Sequence, residues 1–328
     1  MSELPDRLHD FLGRAGWGDA QIEVIPGDAS FRRYFRIRRG NDGAMLMHAP
    51  PPHEDPVPFL DVGDWLQAHG LRAPVIYASE PAAGWVLLED FGDDRMRDWL
   101  DDNPQGAEAA YRAAIDALVE LHSHPAGPFD PYDMDVYLRE AKLLPQWYAP
   151  AHSLEVDEEG YEAAWRGVLT PLIERQAEGV TVLRDYHAEN IMLLGGSPGA
   201  PQGLIDFQDA LVGHRAYDLV SLLQDARRDV DQSFAGEMFD YYCQLTGEAD
   251  SAFRADYAIL GAQRNAKIVG IFTRLFKRDS KPKYLSMIPR VWRLLEADLK
   301  HPALAPVAAW FDAHIPGDLR AMDGGTIR

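Results

Sequence analysis

The sequence predicts an α+β chain of two lobes: an N-terminal five-stranded antiparallel sheet carrying one helix, then a larger, mainly α-helical lobe. Three observations predict it. At 328 residues the chain exceeds the usual reach of a single core. Up to Phe91 it alternates short apolar runs with turn signals, and from Glu108 helical periodicity takes over.

The elements follow in order. After an amphipathic start at Leu4, Leu8, Phe11 and Leu12, the runs QIEVIP, SFRRYFRIRR and AMLMHAP read as an antiparallel meander, with turns at Gly27-Asp28 and Asn41-Asp42-Gly43. A stretch holding Pro50, Pro51, Pro52, Pro56 and Pro58 leads to a helix with Phe59, Val62, Leu66 and His69 on one face, closed by Gly70. PVIYAS and GWVLLED supply the fourth and fifth strands. The acidic, turn-rich segment from Gly92 to Gln105 places the boundary after Phe91, giving lobes of 1–91 and 92–328. In the second lobe Tyr111, Ile115, Leu118 and Leu121 form one apolar stripe, and Tyr137, Leu138, Ala141, Leu144 and Trp147 another. Its centre departs from this pattern: TVLRDY, NIMLL and GLIDF are β-type runs joined by turns at Gly195-Gly196 and Pro198-Gly199.

Composition excludes whole classes of function. A formal charge of −20 disfavours nucleic acid and anionic membrane as partners, so any anionic ligand needs a local basic pocket. The single cysteine, Cys243, allows no intrachain disulfide, and the first residues lack the basic start and apolar core of a signal peptide. No run approaches the roughly 18 apolar residues of a membrane span. The expected address is the cytoplasm.

Chemistry concentrates in LRDYHAENIML and LIDFQDA. Asp185 and Asn190 lie five apart between two strands, and Asp206 follows sixteen residues later. Phosphoryl transfer needs one carboxylate to orient and deprotonate the attacking hydroxyl, and hard oxygen ligands to hold Mg²⁺ against phosphates. Asp185 suits the first task as base; Asn190 and Asp206 suit the second. The spacing Asp-x-x-x-x-Asn equals that of the kinase catalytic loop, and Asp206-Phe207-Gln208 stands in the place of its Asp-Phe-Gly.

With these residues in view, the chain resembles the aminoglycoside phosphotransferase and choline kinase superfamily over nearly its whole length, which implies a bilobal protein-kinase-like fold with a nucleotide-binding β-rich lobe at 1–91. GDASFRRYFRI resembles the phosphate-covering hairpin, implying ATP contacts at Ser30, Arg32 and Arg33. GWVLLEDFGD resembles the strand entering the adenine hinge, implying backbone contacts from Glu89 and Phe91. AYDLVSLL resembles the helix bracing the catalytic loop, with Asp218 accepting hydrogen bonds from loop amides. Within the superfamily, SFRRYFR, APPP, RDYHAEN, DFQDA and YDLVSLLQDA together are similar to the anomeric N-acetylmuramate/N-acetylglucosamine kinases of cell-wall recycling. That resemblance implies transfer from ATP, with Mg²⁺, to the 1-hydroxyl of a small-molecule sugar.

The departures from the pattern are specific. Leu183 stands where many relatives have His, so the usual bond pinning the loop is absent or replaced. Only Gly27 remains of a Gly-rich loop, and the first lysine in the chain is Lys142, so either this lobe binds no phosphates or arginine replaces the phosphate-pairing lysine, the favoured reading. Arg32, Arg33, Arg36 and Arg38 are the candidates. Strand alternation puts Arg33 with Phe31, Phe35 and Ile37 on the expected buried, nucleotide-facing side, while Arg32 lies near enough to the turn to reach phosphates as well.

From Arg264 to Arg293 nine basic side chains face one acid, Asp279. Arg264, Lys267, Ile271, Arg274 and Arg278 share a helical face, a basic stripe suited to an anion such as a lactyl carboxylate. Arg264, Lys267 and His187 are the candidate substrate contacts; for most of the run a solvated face is the simpler reading, and for His187 a loop hydrogen bond. Two alternatives stay open. Asp209, Asp225 and Asp229 leave room for a cationic acceptor, hence a kinase for an aminoglycoside, choline or ketosamine. The missing lysine and glycines, with Leu183, allow an inactive nucleotide-binding regulator.

Overall fold

The computed structural model describes residues 4–26, 31–199, 201–248, 250–321 and 327. The chain divides into two compact units, Met1–Ala107 with Glu189–Asp209, and Glu108–Ala188 with Ala210–Arg328. The first change of unit comes later than the boundary placed after Phe91. The intervening segment stays with the first unit because the Leu193 N–H donates to the Asp94 carbonyl (2.8 Å) and Arg95 bridges Met192.

The first unit opens with helix α1 (Leu8–Arg14), then strands β1 (Gln21–Ile25), β2 (Arg33–Arg39) and β3 (Asp42–His48), helix α2 (Val57–Ala68), β4 (Ile76–Glu80), β5 (Trp85–Leu88) and α3 (Met96–Asp102). The five strands are antiparallel in the order β1-β2-β3-β5-β4. The last two are exchanged relative to a simple meander for a reason visible in their residues. Strand β5 reads Trp-Val-Leu-Leu and is buried throughout, which suits an interior strand, whereas β4 alternates half-buried and exposed positions and takes the edge. Arg39 pairs with Asp42, so the β2–β3 turn is Gly40-Asn41, with Gly40 at φ 58°. This is earlier than the expected Asn41-Asp42-Gly43, because Asp42 and Gly43 already pair across the ladder.

The buried face of β2 carries Phe35 and Ile37, which join Ala44, Leu46, Trp85 and Leu87 in one apolar cluster. Leu8, Phe11 and Leu12 of α1 complete it, with Phe11 and Trp85 stacked at 5.9 Å. Full burial of each large side chain stabilises by roughly 1.5–3 kcal/mol. Helix α1 therefore occupies the side that alternation had assigned to the nucleotide. Arg33 lies over the Phe35 ring at 5.2 Å, and Phe31, before the strand, is 67 % exposed instead of buried.

The second unit holds α4 (Ala107–Ser123), α5 (Met134–Ala141), a π-helical turn Leu144–Tyr148 leading into the single turn α6 (Ala149–Ala151), α7 (Glu158–Gln176) and β6 (Val180–Val182). The chain then returns to the first unit for the hairpin β7 (Ile191–Leu193) and β8 (Gln202–Leu204). It re-enters the second with β9 (Leu211–Gly213), which pairs with β6, and continues as α8 (Ala216–Leu223), α9 (Gln232–Thr246), α10 (Ser251–Lys277), α11 (Ile288–Asp298), α12 (Ala305–His314) and α13 (Gly317–Ala321).

The predicted stripe on α4 is buried as expected. The second stripe shifts phase: the π turn inserts one residue per turn, so Tyr148 is buried where Trp147 was expected. Helix α10 is the unit's central rod, buried without interruption from Ala258 to Gly270. Its basic stripe is therefore split. Arg264 and Lys267 lie inside the protein, while Arg278 is exposed and pairs with Asp279 at 2.7 Å. Among the described residues no helix is long and apolar enough to cross a membrane.

Gly84 turns the chain into β5 at φ 78°, and a Cβ there would fall inside the van der Waals envelope of the Ala49 carbonyl oxygen. Gly84→Ala should lower the unfolding free energy by about 2 kcal/mol or more in urea denaturation.

Candidate active site

The loop after β6 is where sequence pattern and structure meet. Arg184 adopts φ 71°, a left-handed conformation costly for a residue with a side chain, so something must over-determine it. Asp218 does so from α8: fully buried, it accepts the Leu183 N–H at 2.6 Å and the Arg184 N–H at 2.8 Å. Leu183 itself is buried. Two backbone bonds to one carboxylate pin the loop. A second anchor holds the Arg184 side chain, which pairs with the buried Glu140 of α5.

Asp185 follows with its side chain 44 % exposed, while that of its neighbour Arg264 on α10 is only 3 % exposed. The Arg264 guanidinium stands 3.7 Å from the Asp185 carboxylate. Desolvation raises the Asp185 carboxyl, but the opposing charges of Lys267 and Arg264, helped by His187 and Arg227, bring it down to about 2. It is an ionised acceptor at any physiological pH. Its other predicted neighbours differ in kind. Lys267 donates to Glu140 at 3.0 Å and to the Tyr217 hydroxyl at 3.4 Å. His187 is buried, its Nε2 accepting from the Arg227 guanidinium at 3.0 Å. Burial, opposed by Asp225 and reinforced by Arg227, takes the imidazole down to about 4. The neutral ring therefore carries its proton on Nδ1, which has no partner among the described residues. Asp185, His187, Arg264 and Lys267 are thus brought together within the second unit.

The first unit gathers another set. Asn190 Nδ2 donates to Asp206 Oδ2 at 3.3 Å, and Gln208 Nε2 to Oδ1 at 2.9 Å. Asp206 is exposed, at φ 61°, and Phe207 behind it stacks on Phe59 of α2 at 4.8 Å. A carboxylate and a side-chain amide oxygen are the hard donors that Mg²⁺ takes, so the residue types fit the ion, although here the Asn190 amide turns its nitrogen to the carboxylate. Arg32 donates to Glu54 at 3.1 Å and lies close enough to Asp206 for their charges to act on each other.

Arg36 is buried against Asp90 (2.7 Å) and Asp93 (2.8 Å). The Glu89 side chain is paired with Arg72, and its N–H donates to the Val75 carbonyl at 2.8 Å. The carbonyl is the backbone group Glu89 can offer a ligand. Phe91 lies against Gly203, where a Cβ would come 2.7 Å from its ring, and under the Arg72 guanidinium at 4.8 Å. Ser30 lies outside the described residues.

Sequence reasoning missed Arg72 and Glu140. The signal for Glu140 was an acid three residues after Tyr137 on the apolar face of α5, a position that demands a buried cation. Two of the acids left open for a cationic acceptor have structural partners: Asp229 binds Arg290 through both oxygens at 2.7 Å and Arg293 at 3.2 Å, and Asp225 accepts the Arg227 N–H on Oδ1 at 2.8 Å, its buried Oδ2 having no partner among the described residues.

Comparison with known proteins supplies a frame for this geometry. Residues 21–256 match the model of the phosphotransferase enzyme family. The chain is 36% identical to the N-acetylmuramate/N-acetylglucosamine kinase of Caulobacter vibrioides, over 94% of this chain and 96% of that protein. It is 37% identical to the kinase of the same name from Pseudomonas aeruginosa, over 92% of each. Among solved structures it is similar to a choline/ethanolamine kinase family protein from Mesorhizobium loti (TM-score 0.62, 18% identity, 93% of this chain and 96% of that one). It is also similar to APH(2")-IIa in a ternary complex with streptomycin and ATP (TM-score 0.62, 15% identity, 92% and 98%). At such identities these two show the shared fold alone.

The two bonds to Asp218 give a direct test of the loop. Asp218→Ala leaves two buried amides without an acceptor and should cost about 2–5 kcal/mol, read as a lower urea midpoint.

Proposed function

Because the chain belongs to the phosphotransferase enzyme family, we propose that it transfers the γ-phosphate of ATP to the anomeric hydroxyl of N-acetylmuramate or N-acetylglucosamine. The observation that carries the reading is Asp185 itself: a half-exposed, ionised carboxylate on a pinned, strained loop, surrounded by buried cations. The relatives that share its chain over nine-tenths of their length are kinases named for these two sugars.

The physics assigns the parts. A carboxylate held near a pKa of 2 is a weak proton sink, so Asp185 works chiefly by accepting a hydrogen bond from the acceptor hydroxyl and aiming its lone pair at the phosphorus. The proton passes to the carboxylate only as the new P–O bond forms. A sugar 1-hydroxyl is more acidic than an ordinary alcohol and asks less of such a base. Arg264 Nη1, buried and without a partner among the described residues, is placed to donate to acceptor oxygens. Neutral His187 offers its Nδ1–H. Lys267, engaged by Glu140 and Tyr217, is a structural cation in this reading rather than a substrate contact.

For the nucleotide, Arg32 rather than Arg33 takes the place of the missing lysine, since α1 covers the face that Arg33 shares and Arg32 lies near Asp206. The Glu89 carbonyl and Phe91 receive the base. Asn190 and Asp206 would hold Mg²⁺, which when bound neutralises charge on the phosphates. The enzyme would then serve in the cytoplasm, consuming amino sugars released from cell-wall glycan.

The decisive assay incubates the protein with ATP, Mg²⁺ and each sugar and looks for the 1-phosphate by phosphorus NMR; inertness with both returns the acceptor to unknown. Asp185→Asn should bind ATP normally and lose at least about a thousandfold in kcat, and near-wild-type turnover removes the base assignment. The sign of the pH effect is also fixed. A depressed pKa keeps Asp185 ionised above about pH 2, so the kcat profile should carry no limb from this group near the ordinary carboxylate value.

A further inference from the structure

Glu140 is the one acid of α5 drawn into the interior beside the loop that carries Asp185, and it serves two cations at once. Its Oε1 accepts from Lys267 Nζ at 3.0 Å and from the Arg184 guanidinium, and its Oε2 accepts from the Tyr132 hydroxyl. The Tyr217 hydroxyl, 3.1 Å from that of Tyr132, closes the cluster from α8 and accepts from Lys267 at 3.4 Å. All the charged members are wholly or largely buried.

Resting on the reading of Asp185 as base, we propose that Glu140 is a positioning residue that holds the Lys267 ammonium and the Arg184 guanidinium in ion pairs of their own, and so keeps both from closing onto Asp185 and blocking its reactive oxygen. The arithmetic of charge supports it. With Glu140 present, the three cations Arg184, Lys267 and Arg264 face two carboxylates, Glu140 and Asp185; without it, all three share Asp185. The Lys267 ammonium, on a flexible four-carbon stem, then moves towards Asp185, because a buried cation left without a counter-charge is the costlier state. Lys267 stands one turn along α10 from Arg264, and its own charge already acts on that carboxylate. Arg264 is already committed: its guanidinium stands 3.7 Å from Asp185, and its charge also acts on Asp218.

The test compares Glu140→Gln, Lys267→Met and the double variant. Glu140→Gln keeps the shape and removes the charge; kcat should fall on the order of a hundredfold while KM for ATP stays within about threefold. In the crystal structure of that variant Lys267 Nζ should stand at hydrogen-bond distance, about 3 Å, from Asp185. Removing the ammonium as well should reverse the loss: the double variant should recover at least about tenfold in kcat over Glu140→Gln.

A purely structural ion pair predicts the opposite, since a second cut in the network makes the protein no better. A double variant no more active than Glu140→Gln, or a Lys267 that stays beside residue 140, overturns the proposal. Where Glu140→Gln fails to fold, the double variant decides alone: folded and within about tenfold of wild type supports the spacer role, folded and inactive refutes it. The kcat profile is read on the same variants against the groups whose charges act on Asp185: Arg184 and His187 on the loop, Asp218 on α8, Arg227 after it, and Arg264 and Lys267 on α10. A wild-type chain inert towards both sugars counts against the acceptor alone, because the Lys267 position is read without any acceptor.

Discussion

Two backbone N–H groups donating to one buried carboxylate hold the centre of this molecule together. Without Asp218, Arg184 would lose both backbone bonds that hold its left-handed turn, and Asp185 the direction on which its proposed role depends. Helix α8 supplies that carboxylate because its every residue is buried, so the helix has no freedom to slide. Rigidity is exported from an apolar helix to a polar loop through two hydrogen bonds.

The charge pattern around the loop has the same economy. The protein is strongly acidic overall, yet the neighbourhood of Asp185 gathers Arg184, Arg264, Lys267 and Arg227. Each is engaged or screened by an acid, an imidazole or a tyrosine hydroxyl, which allows so many cations to be buried together. The result is a carboxylate that stays ionised and oriented, as its proposed role in phosphoryl transfer requires, where positioning contributes more than basicity.

Much of this was legible in the sequence, and the failures have a common cause. Period-two alternation paired Phe35 with Ile37 correctly, and the spacing of Asp185, Asn190 and Asp206 marked the loop and hairpin in which they lie. Alternation says which residues share a face but not what covers it; only the structure shows α1 lying on the Phe35 side, which shifts weight from Arg33 to Arg32. The same gap explains α10. Its basic positions line up on a helical wheel, but the wheel cannot reveal that the helix is central, so the run read as one continuous basic stripe when Arg264 and Lys267 are interior. Trp147 was displaced by a π turn that no periodicity announces. Glu140 was passed over because an isolated acid on an apolar stripe looks like noise until its cation, more than a hundred residues away in sequence, is in place.

The interrupted first unit carries a consequence for biosynthesis. Its sheet and α2 are complete once residue 88 has been made, but Phe207, which stacks on Phe59, and β8, which lies against Phe91, belong to a segment synthesised about a hundred residues later. Translation at roughly 5–20 residues per second leaves that apolar surface uncovered for many seconds while most of α4 to α7 emerges. The nascent chain thus passes through a stage in which the sheet is formed but unsealed, and a ribosome stalled in that interval would present a sticky half-protein to the cell.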